Sequence, residues 1–160
     1  MSIDAALEHV INRTALIENI LNQVIQAHLQ PRNEAFQFFW DVLMDSSILP
    51  LGSKVKVAMA ISQESGFKLD QTVLHTVISL RNAFAHHDTK AHPEFIVGKT
   101  SDADQFRYTL QVISNSGRIT RKGRAEALAE FDEAYAKAKE SLKALLTAIS
   151  ASNAEDSPSN

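Results

Sequence analysis

Two stretches near the ends of this chain repeat apolar residues with a 4-3 spacing, and few architectures can accommodate that pattern twice. Ile3, Leu7, Val10, Thr14, Ile17, Leu21, Val24 and His28 form the first; Leu128, Phe131, Tyr135, Ala138, Leu142, Leu145 and Ile149 form the second. Each is a seam over about three heptads, the signature of a long amphipathic helix that has to bury one stripe. The seams can pack against each other inside one bundle, or give part of their length to a dimer interface.

The chain between them reads as shorter elements. Pro31 stops the first helix, and Glu34 to Met44 forms a second with Phe36, Phe39, Trp40 and Leu43 on one side, an aromatic cluster suited to a core. Ser46 to Gly52 is a turn, Ser53 caps a helix running through Gln63, and Gly66 ends it. Asp70 is an N-cap for the next helix. Phe95-Ile96-Val97 and Arg107 to Ile113 are strand-forming runs, and Ser114-Asn115-Ser116-Gly117 is a turn before Arg118-Ile119-Thr120. The expected fold is mostly α, an antiparallel helical bundle with a small inserted β-hairpin or sheet. It forms one domain over residues 1–149, with the β insertion at about 95–120. Residues 150–160 carry too few apolar groups to offset their ordering entropy and are expected to be disordered.

Composition narrows the functional classes. A 160-residue chain that is 44% hydrophobic can build one core without staples, and the lack of cysteine excludes disulfides and thiolate metal sites. Met1-Ser2-Ile3-Asp4 has no basic leader character and no apolar run is long enough for a bilayer, so a cytoplasmic protein without a membrane partner is expected. A net charge of −3 gives no global attraction to nucleic acid. Cations cluster once, at Arg107, Arg118, Arg121, Lys122 and Arg124. Cations at a helix N-terminus oppose the helix dipole, so this cluster points either to a phosphate backbone or to a solvated charged face.

The helix after Asp70 departs most from packing logic. Val73, Val77, Leu80 and Phe84 form one apolar line, and Leu74, Ile78 and Ala85 a second. His75, Ser79, Asn82 and His86 make a polar line on the opposite side, while Arg81 falls between the apolar lines. A guanidinium there needs a carboxylate, a phosphate or a partner chain. In a purely structural reading, Arg81 pairs with a buried carboxylate and His86 or His87 caps the helix C-terminus. His86, His87, Asp88 and His92 offer metal-ligand types, but adjacent histidines point apart and Pro93 suggests a loop, so no metal and no cofactor is assigned.

Arg81-Asn82-Ala83-Phe84-Ala85-His86 resembles the R-x(4–6)-H signature of the HEPN superfamily, in which a polar residue follows the Arg and the motif closes a helix of a small bundle. The stretch from Ile78 to His86, with Leu51 to Ala58 before it, is also similar to mannitol-repressor-like helical proteins. The first resemblance implies a metal-independent endoribonuclease of toxin–antitoxin or defence type. Arg81, Asn82 and His86 would be its catalytic residues, RNA its substrate, a homodimer its assembly and a cognate antitoxin or regulatory protein its partner. The second implies a non-catalytic dimeric regulator or adaptor. Asp88 stands where one large HEPN branch carries a tyrosine, so the resemblance does not extend to modification of that tyrosine. On an ideal helix Arg81 and His86 are separated by about 140°, so they converge only if the helix unwinds near Ala85 or a second copy completes the site.

Overall fold

The computed structural model describes residues 3–86, 93–94 and 107–155. The elements in order are α1 (Ile3–Leu29), α2 (Asn33–Phe38), a π-helical turn (Phe39–Leu43), α3 (Leu51–Glu64), α4 (Gln71–Ala85), β1 (Pro93–Glu94), β2 (Arg107–Ile113), β3 (Ile119–Gly123) and α5 (Arg124–Glu155). The protein is mostly helical. Its small antiparallel sheet has the order β1-β2-β3, with Val112 opposite Thr120 and Leu110 opposite Lys122. The expected strand at Phe95-Ile96-Val97 lies outside the described residues.

Both seams are used inside the chain. Val10, Thr14, Ile17, Leu21 and Val24 are buried, as are Phe131, Tyr135, Ala138, Leu142, Leu145 and Ile149. That leaves these residues no free face for a dimer. Leu74, Val77, Leu80 and Phe84 of α4 join the same core, and Leu110 and Val112 close it from the sheet. Full burial of each large side chain contributes about 1.5–3 kcal/mol, so the two seams outweigh any single polar contact described below.

The directions of the helices differ from the antiparallel expectation. His9 Nε2 lies 2.8 Å from Asp132 Oδ1, and Asn153 Nδ2 donates to the Ala27 carbonyl at 2.7 Å, so α1 and α5 run parallel. Contacts of Glu18 with Lys54 and of His28 with Glu64 make α1 and α3 parallel too. Only α4 runs against its neighbours, turned back after α3 by the short link through Gly66, whose φ of +67° favours a residue without Cβ. Parallel neighbours need a return between them: residues 30–50 supply it between α1 and α3, and α4 itself supplies it between α3 and α5.

Several boundaries also move. The helix expected over Glu34 to Met44 ends at Phe38 and widens into the π-helical turn, closed by Met44 N–H donating to Phe39 C=O at 2.9 Å. The extra residue in that turn lets Phe39 enter the core, with Trp40 edge-on at 5.7 Å, but leaves Phe36 44% and Phe38 62% exposed. The aromatic cluster is therefore only half a core. Helix α3 starts at Leu51 rather than after Ser53, because the Pro50 carbonyl already accepts from Ser53 and Lys54 N–H. Residues 150–155 are helical, correcting the expected disorder there: Asn153 satisfies a carbonyl that the end of α1 leaves open.

Candidate functional site

Helix α4 forms as its sequence dictates. The Asp70 carboxylate accepts from Thr72 and Val73 N–H at 2.9 and 3.4 Å, and the helix then runs unbroken to Ala85. Arg81 is half-buried and Asn82 exposed. Both line a cavity of about 470 Å³ between α4, the first half of α1 and the approach to α3, with Thr14, Glu18, Ser46 and Ile78 among the other walls. Arg81 Nη1 donates to Asn82 Oδ1 at 3.1 Å, so the guanidinium swings from its own line toward the polar line of the helix.

The carboxylate expected beside Arg81 is present but already committed. Glu18 Oε1 accepts from Lys54 Nζ at 2.6 Å and from Ser46 Oγ at 2.7 Å. The Lys54 side chain is completely buried and also donates to the Met44 carbonyl at 2.6 Å. Partial burial pushes the Glu18 carboxyl up. The hydrogen bonds from Lys54 and Ser46, and the charges of Lys54 and Arg81, more than reverse this and hold it below its usual value. Among the described residues no carboxylate lies within salt-bridge distance of Arg81. A half-buried cation whose acid neighbour in the cavity is bonded to another lysine has hydrogen-bond donors to offer an anion.

His86 is the residue the geometry does not bring in. It is the C-cap of α4, its N–H bonded to the Asn82 carbonyl at 3.0 Å, and it is exposed and absent from the cavity lining. The unwinding near Ala85 that would have joined it to Arg81 does not occur. His87, Asp88 and His92 lie outside the described residues, and with them most of the alternative metal set.

Strand alternation divides the expected basic patch. Lys122 shares the inward face of the hairpin with Leu110 and is paired with Glu130, while Arg121, opposite Gln111, belongs to the outer face. Arg118 is exposed beyond the turn, and Arg124 begins α5 with its Nη2 buried and without a hydrogen-bond partner. The Arg107 side chain lies outside the description.

Sequence reading missed Glu18, Ser46 and Lys54. One signal was available: Lys54 stands in the stripe Leu51, Val55, Ala58 and Ile61, where a core residue belongs. Comparison with family models, with curated proteins and with solved structures returns no match.

Proposed function

We propose that this chain binds RNA at the Arg81–Asn82 cavity and acts there as a HEPN-like, metal-independent endoribonuclease of toxin–antitoxin or defence type. What supports the reading is Arg81 itself, a half-buried guanidinium that opens into a cavity whose acid, Glu18, is bonded to Lys54 and Ser46. Arg81 holds the scissile phosphate, and Asn82 fixes the guanidinium and donates its amide. His86 exchanges the proton as the 2′-oxygen attacks phosphorus and the bond to the 5′-oxygen breaks, yielding a cyclic phosphate and a free 5′-hydroxyl. Because His86 is not in the cavity of its own α4, the site is completed by a second copy, and the functional unit is a homodimer.

Cleavage of diverse RNAs by purified protein in chelator tests this. His86→Ala and Arg81→Ala, shown to be folded by circular dichroism, should each abolish it while His92→Ala does not. If wild type leaves RNA intact with and without the product of its genomic neighbour, the enzyme reading fails. The second reading, a non-catalytic regulator similar to mannitol-repressor-like proteins, is favoured by one observation: His86 is exposed and absent from the lining of the Arg81 cavity.

A further inference from the structure

A second cavity, also of about 470 Å³, lies on the other flank of the α4 polar line. The RNA reading above leaves it unused. Thr72, His75 and Ser79 supply its α4 wall, and Ser114, Asn115 and Ser116 of the β2–β3 turn face them. Leu80 and Val112, both buried, belong to its lining as an apolar floor. Among the described residues its lysine and its carboxylate, Lys122 and Glu130, are paired with each other. The volume falls within the range of small-molecule sites, and the lining combines an apolar surface with a few convergent polar groups, as such sites do.

The two cavities differ in the chemistry they can accept. The first holds a cation without a bonded acid, whereas among the described residues the second pairs its lysine with its carboxylate and is rich in hydroxyls and amides that both donate and accept. They are also neighbours: Ser79 lines one, and Ile78 and Asn82 line the other. Because α4 is unbroken, the line His75, Ser79, Asn82, His86 is straight and about 16 Å long at 1.5 Å per residue. A charged pocket beside a neutral, hydrogen-bonding one divides a ligand as a nucleotide is divided, into phosphate and nucleoside.

We infer that the second cavity is a subsite for one unpaired ribonucleoside of the RNA whose phosphate Arg81 holds; this inference rests on the RNA-binding reading. The nucleoside lays one face on Leu80 and Val112, and its hydroxyls and base edge bond to Ser79, His75 and the Ser114–Ser116 turn. A second phosphate does not compete for the site, because Lys122 is held by Glu130.

The test measures the affinity of a fluorescein-labelled single-stranded RNA in chelator, in a His86→Ala background that keeps the RNA intact. Ser79→Leu fills the cavity from α4 and Thr72→Leu fills its exposed mouth. Each should weaken binding about tenfold, and pairing the same strand into a duplex should remove the difference between variant and background. If Ser79→Leu fails to fold by circular dichroism, Thr72→Leu decides. Binding unchanged within twofold in the folded variants, together with loss in Arg81→Ala, overturns the subsite and leaves the RNA reading standing. Absence of RNA binding by the wild-type protein overturns both.

Discussion

Replacing Lys54 with Met isolates the one fully buried charge among the described residues. Methionine keeps the unbranched stem and nearly the volume, so no cavity cost enters, and what is lost is the pair of charge-assisted hydrogen bonds to Glu18 and to the Met44 carbonyl. Removing one partner of a buried ion pair costs about 3–5 kcal/mol. Glu18 keeps its bond from Ser46 and 22% of its side-chain exposure, which places Lys54→Met at the lower end, about 3 kcal/mol. For a chain of this size the midpoint should fall by about 6–12 °C. The assay is urea and thermal unfolding followed by far-ultraviolet circular dichroism at neutral pH. The double variant Glu18→Leu/Lys54→Met, which removes both charges, should recover most of the loss, because an apolar pair of similar volume is often equal to a buried salt bridge. A single variant within about 1 kcal/mol of wild type, or a double variant no better than the single, would refute the reasoning.

Glu18→Gln should be less stable than wild type at neutral pH. Since the folded-state Glu18 carboxyl is held below its usual 4.5, its contribution is complete above that value and fades as pH falls through the lowered one; the two unfolding curves should therefore converge in acid, and a constant gap would show that the charge is not what matters. Asn153→Ala should lower stability by about 1 kcal/mol in calorimetry by freeing the Ala27 carbonyl, whereas an unchanged midpoint would mean that residues 150–155 do not dock. Gly66→Ala should cost about 1–2 kcal/mol from backbone strain alone, since no atom lies within 4 Å of the added Cβ; chemical denaturation that places it level with wild type would contradict the +67° backbone. Phe38→Ser should leave the unfolding midpoint of the single chain within a degree or two, because the ring is 62% exposed, and a large drop would show that it is covered.

What could be read from the sequence was what neighbours along the chain decide. The cap at Asp70, the stop at Pro31 and the seams of α1 and α5 follow from local chemistry and period, and each stands where expected. The relative directions of α1 and α3 depend on how far residues 30–50 carry the chain back, and no local rule contains that distance. Lys54 was missed because lysine at a helix position reads as surface unless its carboxylate partner is known, and Glu18 is 36 residues away. The last residues were misjudged because composition describes their burial, whereas they continue helix α5 and the Asn153 amide bonds to α1. Arg81 was visible as an anomaly, but that Glu18 in the same cavity bonds Lys54 and Ser46 was not.

The parallel clamp of α1 and α5 has a consequence for synthesis. The contacts that seal α1, from His9 and Arg13 to Asp132 and from Ala27 to Asn153, join residues 119 to 126 positions apart. At ribosomal rates of about 5–20 residues per second, the apolar face of α1 waits several seconds or more before the last of the helices that cover it exists. Throughout that interval the α1 stripe has only α3 and α4 to pack against. A circular permutant that joins the two long helices in sequence would need a linker as long as the bundle, because their adjoining ends are at opposite poles.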